Sequence, residues 1–197
     1  MRFLFSIVAI FTILAVPLAH AGERDGSKGD AGASNTINNR TTDALLRQLS
    51  NDTRACMQLF EAYRYDCHRK TYRFAANRIK GSIDYLPAYE ALKLVEQRIS
   101  AAVEANLDPD AGRIRKGLQR YSAVKPAALP RIEKETIRAL EDAKTILLRS
   151  PAPHQKPHFQ RIAAVIDSHK VLIRSALLRP HMTLFRLAQA LSGGRFG

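Results

Sequence analysis

Residues 53–80, TRACMQLFEAYRYDCHRKTYRFAANRIK, constrain the fold most strongly, because they hold both cysteines of the chain and five aromatic side chains. Placed on a single helix, part of this segment forms one stripe at the spacing of a core-facing helix. The stripe consists of Cys56, Phe60, Tyr63, Cys67 and Phe74. The remaining faces then carry Tyr65, Tyr72, Arg69, Arg73 and Lys80. The pattern predicts a helix that buries the stripe and exposes the bases.

The two cysteines conflict with one continuous helix. Eleven helical residues separate Cα atoms by about 16 Å, whereas a disulfide needs roughly 4.4–6.8 Å. Three arrangements resolve the conflict. In the first, the helix breaks near residues 61–66, Asp66 caps a new helix, and Cys56 bonds to Cys67. In the second, two copies pair through reciprocal bridges between Cys56 and Cys67 and form a homodimer. In the third, both thiols are buried and reduced. An oxidising compartment favours the first arrangement.

The beginning of the chain has the pattern of a secretion signal. Residues 1–21 combine Arg2, an apolar run over residues 3–18 and the small residues Ala19 and Ala21, which predicts a cleaved signal peptide. Residues 22–40 are rich in Gly, Ser, Asn and Asp, which predicts a flexible lead-in. We therefore expect an exported protein, periplasmic or extracellular, that is soluble after cleavage.

Apolar periodicity and proline positions predict an all-α fold for residues 41–197. Prolines 87, 109, 130, 157 and 180 each stand just ahead of a periodic segment, where a missing N–H is tolerated. The predicted helices are 42–80, 87–106, 109–122, 130–149, 157–178 and 181–191. Short connections favour a single antiparallel bundle of about five to six helices. No segment shows the alternation typical of a strand.

The charge indicates an anionic partner. The chain has 31 Lys and Arg against 18 Asp and Glu, a formal net charge of +13. Two hypotheses follow, a contact surface for an acidic lipid, an envelope polymer or an acidic protein, and a basic surface that serves solubility alone. Nucleic acid is disfavoured by export. If residues 109–122 are helical, Arg113, Lys116 and Arg120 share one face of that helix. The candidate contact residues are Arg69, Lys70, Arg73, Lys80, Arg113, Arg115, Lys116 and Arg120.

Motifs of enzymes, metal sites and cofactor sites are missing from the sequence, so a binding or scaffolding role is expected, with no cofactor. His154 and His158 are interpreted as loop residues and His169 as a core histidine. The alternative hypothesis is a bundle that holds a metal or haem through His and Met, for which His181 and Met182 are candidates.

Overall fold

The computed structural model describes residues 36–149 and 151–177. The predicted signal peptide, most of the lead-in and the predicted helix 181–191 lie outside the described residues. The described part is mostly helical, which confirms the all-α class. Its helices are α1 (Asn39–Met57), α2 (Glu61–Ile79), α3 (Leu86–Glu104), α4 (Leu129–Leu148) and α5 (Lys156–Leu177).

The helices pack in chain order around one core. Each helix contacts the next, and α5 returns to contact α1, so the five form a closed ring. No helix in residues 36–149 or 151–177 is long and apolar enough to cross a membrane. The largest fully buried side chains come from all five helices: Leu45, Leu49, Tyr72, Ile79, Leu92, Ile99, Ile132, Leu140, Leu147, Phe159 and Ile162, with Tyr85 from the short turn before α3.

Local signals explain where most helices begin. The side chain of Asn38 accepts a hydrogen bond from the backbone N–H of Thr41 at 2.8 Å, which caps α1. Because of this cap, α1 begins at Asn39, three residues earlier than the predicted start at residue 42. Pro87 and Pro130 lie in the first turns of α3 and α4, as predicted.

The predicted single helix 42–80 is wrong, because the chain turns between α1 and α2. The backbone N–H groups of Gln58 and Leu59 bond to the carbonyls of Ala55 and Cys56, which tightens the end of α1. This turn brings the Cα atoms of Cys56 and Cys67 within 5.5 Å, and the two residues form a disulfide within the chain. The break precedes the predicted position, and Asp66 lies inside α2 instead of capping it.

The turn also redistributes the aromatic side chains. Phe60 is 80% exposed and Phe74 is 37% exposed, whereas Tyr65 and Tyr72 are buried. The predicted stripe is therefore wrong at its two phenylalanines. In one continuous helix, residues 56 and 74 would lie on the same face. Because α2 is a separate helix that begins at Glu61, it presents another face to the core.

The predicted helix 109–122 is also wrong, because this segment contains a β-hairpin. Strands β1 (Ile114–Lys116) and β2 (Gln119–Tyr121) pair antiparallel, and Gly117 and Leu118 form the two-residue turn between them. Gly117 has φ +60°, a conformation that such hairpin turns require and that glycine adopts without strain. The predicted shared helix face of Arg113, Lys116 and Arg120 therefore does not exist.

Candidate anionic-partner interface

The hairpin is seated on the corner between α1 and α2. Ile114 and Tyr121 are cross-strand partners, so both side chains point to the same side of the hairpin. They pack against a small apolar cluster formed by Cys56, Cys67 and Leu59. The disulfide therefore lies directly beneath the base of the hairpin.

Hydrogen bonds hold the hairpin and its flanks to the same corner. Lys116 Nζ donates to the backbone carbonyl of Ala55 at 3.3 Å and to Gln58 Oε1 at 3.2 Å. On the β1 side, the Tyr63 hydroxyl donates to the carbonyl of Gly112 at 2.8 Å. After β2, the backbone N–H of Val124 donates to the carbonyl of Ala62 at 2.9 Å. The hairpin is thus attached at both ends and near its tip.

Asp66 connects α2 to the end of the hairpin. Its carboxylate is buried and accepts a hydrogen bond from the backbone N–H of Ser122 at 2.8 Å. Arg69 and Lys70 both form ion pairs with it. Lys70 also donates to the carbonyl of Arg120, and its Nζ lies 5.0 Å from the centre of the Tyr121 ring. Two bases and one backbone N–H therefore compensate the buried negative charge.

The outer face of the hairpin is positively charged. Side chains alternate along a strand, so the residues between the inward-facing positions point away from the helices. These residues are Arg115 and Arg120, which are directly opposite each other and exposed. Like charges at opposed positions destabilise a hairpin. Arg115, Arg120 and the exposed Arg113 have no ion-pair partner among the described residues.

The surrounding sequence contains no acid to neutralise these bases. Between Asp110 and Glu133 the chain has six basic residues and not one Asp or Glu. These bases are Arg113, Arg115, Lys116, Arg120, Lys125 and Arg131. Such a run produces a local positive potential that the ion pairs of the neighbouring helices do not cancel.

The turn of the hairpin carries an exposed apolar side chain. Leu118 is 90% exposed at the tip, between the bases of the two strands. A leucine there contributes nothing to the core. The sequence-based prediction missed it, although Gly117-Leu118 between two short polar runs is a signal for a two-residue turn.

The structure brings together half of the eight predicted contact residues. Arg113, Arg115, Lys116 and Arg120 belong to the hairpin or border it, and Lys70 lies behind it. Arg69 is paired with Asp66 and also with Glu104 at 3.1 Å. Arg73 is half-buried over the ring of Phe74. Lys80 follows the last residue of α2, about 28 Å along the helix from its first turn.

A buried histidine beside a small cavity forms a second polar feature, which lies between the helices. A cavity of about 30 Å³, room for roughly two water molecules, separates the α1–α2 corner from α4 and α5. His68 lines it and is fully buried, and neither ring nitrogen has a hydrogen-bond partner in the protein. Burial, together with nearby His169 and Arg64, lowers the pKa of His68 to about 3. The other lining residues are Met57, Glu61, Arg64, Tyr65, Leu129, Glu133 and Ile173.

His169 is a core histidine, as predicted. Its Nδ1 lies 2.8 Å from the Tyr72 hydroxyl and 3.2 Å from the Thr53 hydroxyl, within hydrogen-bond distance of both. Burial lowers the pKa of His169 to about 4. Both buried histidines are therefore neutral at ordinary pH.

The metal-binding alternative has no support in the described residues. Within residues 36–149 and 151–177 no three His, Cys, Asp or Glu side chains are grouped so that they could hold a metal ion. His158 lies in α5, where its Nδ1 is 2.8 Å from the Thr42 hydroxyl, so the prediction that it is a loop residue is wrong. His154 precedes α5 and lies 3.5 Å from Asp84. His181 and Met182 lie outside the described residues.

Fold and site together define a disulfide-containing helical protein that presents a basic β-hairpin at one helical corner. Comparisons with protein families, with curated proteins and with solved structures found no match to this chain. The function must therefore be inferred from the residues of the chain itself.

Proposed function

We propose that this protein is exported and binds an anionic partner through the basic hairpin. The observation that carries the proposal is the opposed pair Arg115 and Arg120, exposed on the outer face within a run of six bases that contains no acid. Like charges at opposed positions repel each other, while Arg115 Nε also donates to the carbonyl of Gly117 at 2.9 Å within the hairpin turn. A bound anion turns this repulsion into two favourable charge-assisted contacts.

The attachment of the hairpin supports the same role. A partner-binding element loses less conformational entropy on binding when it is already held in place. Here the disulfide, the Lys116 contacts and the Asp66 bond to Ser122 hold the hairpin before any partner arrives. Arg69 and Lys70 contribute to that support, and the exposed bases of the hairpin make the contact.

The proposal also includes export from the cytoplasm and an antiparallel arrangement of the helices. The signal-like residues 1–21 and the disulfide between Cys56 and Cys67 both support an oxidising compartment outside the cytoplasm. Short connections join α1 to α2, α2 to α3 and α4 to α5, and they support an antiparallel order of these helices. The protein acts by binding or scaffolding, with its hairpin directed to the anionic surface.

Retention on a sulfated-polysaccharide matrix tests the hairpin. We expect the triple substitution Arg113→Gln, Arg115→Gln, Arg120→Gln to weaken binding by about 100-fold at low salt, since each base near an anionic surface contributes about 1 kcal/mol. Lys116 is left in place because it attaches the hairpin to α1. The measurement is the salt concentration that elutes each protein, because screening weakens such binding as salt rises.

The matched control removes the same charge elsewhere. Arg40, Arg47 and Lys134 are exposed bases that form no ion pair in the described part of the chain, so their triple substitution by Gln lowers the net charge equally. We expect this control to elute close to the unmodified protein. Equal loss of retention in both variants would show that overall charge, and not the hairpin, holds the partner.

A further inference from the structure

The exposed side chain of Leu118 indicates which kind of anionic partner the hairpin binds. It is 90% exposed at the outermost turn, where no contact within the protein requires an apolar side chain. A dissolved polyanion offers negative charge but no apolar phase in which this side chain can be buried. The surface of an acidic phospholipid bilayer offers both, with phosphate groups above and hydrocarbon below.

The dimensions of the hairpin suit that surface. Each strand has three residues, so the hairpin extends about 10 Å from its base to its turn. Apolar faces of peripheral proteins are buried about 5–10 Å into the boundary between headgroups and acyl chains. Arg115 and Arg120 stand two or three positions from Leu118, so they remain among the phosphates when the leucine reaches the hydrocarbon.

The way the hairpin is seated supports tip-first insertion. Its inner face is occupied by contacts of Ile114, Lys116 and Tyr121 with the α1–α2 corner. Its outer face and tip therefore remain for a partner. A flat acidic surface contacts the tip and the flanking arginines together, without a cavity of matching shape.

We infer that the partner is an acidic phospholipid bilayer and that Leu118 inserts into it while Arg115 and Arg120 bind the lipid phosphates. This inference rests on the proposed function, because it names the partner of the same hairpin. Insertion is peripheral and reversible, since one leucine and a few bases provide only a weak anchor.

Tryptophan substitution provides a direct test, because the chain contains no tryptophan. In the purified L118W protein we expect emission to shift to the blue when vesicles of phosphatidylcholine with phosphatidylglycerol are added. No shift is expected with pure phosphatidylcholine vesicles or with dissolved heparin, although heparin binds. The control is I83W, because Ile83 is 74% exposed but lies outside the hairpin, and its emission should not shift.

Affinity for the same vesicles gives an independent measure. We expect Leu118→Ala to weaken binding to acidic vesicles by about tenfold, because most of the apolar surface transferred from water is lost. Binding of this variant to heparin should be unchanged, and Ile83→Ala should change neither affinity. Lost vesicle binding with retained heparin binding would confirm the role of the leucine.

The outcomes separate the two proposals. If the protein binds acidic vesicles but L118W stays exposed to water, or if I83W shifts instead, the insertion inference is overturned and the basic-hairpin proposal survives. Binding to heparin but not to acidic vesicles also overturns insertion alone, and favours a soluble polyanion or an acidic protein. Binding to neither probe overturns both proposals.

Discussion

Two buried histidines of α2 and α5 differ in how their ring nitrogens are satisfied. His169 has the hydroxyls of Tyr72 and Thr53 at its Nδ1, whereas His68 has no protein partner at either nitrogen. A buried polar group without a partner costs about 1–3 kcal/mol in folding free energy. His68 therefore destabilises the folded state, whereas His169 lacks a partner at Nε2 but meets the Tyr72 and Thr53 hydroxyls at Nδ1.

At the residue scale, substitution of these histidines should have opposite effects. We expect His169→Met to lower the free energy of unfolding by about 1–3 kcal/mol, because the Tyr72 and Thr53 hydroxyls lose their partner. His68→Met should be neutral or stabilising by about 1 kcal/mol, because an apolar side chain of similar size replaces an unsatisfied ring. Urea unfolding near neutral pH measures both. A larger loss for His68→Met would show that its ring has an essential partner.

The corner between α1 and α2 supports the hairpin as one structural element. The disulfide closes the turn around residues 58–60, and Ile114 and Tyr121 pack on its sulfur-containing side chains. Asp66 then links α2 to the backbone of Ser122, 56 residues later in the chain. The basic surface thus depends on contacts between segments that are distant in sequence.

At the element scale, loss of the disulfide should weaken the fold and the hairpin together. For a loop of this length we expect the free energy of unfolding to fall by about 3 kcal/mol, because the reduced unfolded chain gains conformational entropy. Urea unfolding with and without reductant measures the change. Amide exchange in residues 114–121 should also accelerate after reduction. The double variant Cys56→Ala, Cys67→Ala is the control, and a response of that variant to reductant would contradict this explanation.

For the whole molecule, buried neutral histidines link stability to pH. The folded-state pKa values of His68 and His169, about 3 and about 4, lie below the value of about 6.5 for an exposed imidazole. The unfolded chain therefore binds these protons first. Stability is highest above the unfolded pKa and falls as the pH drops from about 6.5 toward the folded values. Burial also lowers the pKa of His158, which acts in the same direction.

At the scale of the whole molecule, acid should destabilise the protein before its carboxylates titrate. Between about pH 7 and about pH 5 we expect each buried histidine to reduce the free energy of unfolding by about 2 kcal/mol. Urea midpoints at the two pH values measure the loss. His68→Met should remove about half of it. If His68→Met loses as much free energy of unfolding between the two pH values as the unmodified protein, other groups cause the pH dependence.

The all-α class and the helices α3, α4 and α5 were predictable because helix periodicity is a local property of the chain. Two sets of residues recur at helical spacing and are all buried: Thr136, Leu140, Ala143 and Leu147 in α4, and Ile162, Ile166 and Ile173 in α5. Prolines 87, 130 and 157 located the starts of α3, α4 and α5 to within one residue. The two cysteines also indicated that the helix 42–80 had to break if they were bonded.

Tertiary structure alone decided where the chain turns and which bases remain exposed. Residues 112–121 have both a helical spacing of bases and a glycine turn, and packing of Ile114 and Tyr121 on the disulfide selects the hairpin. Arg69 and Lys70 pair with Asp66 locally, three and four residues along α2, whereas the bond from Ser122 to Asp66 that places the hairpin beside them is a tertiary contact. Local periodicity depends on neighbours three or four residues away, whereas the basic surface depends on contacts across fifty residues or more.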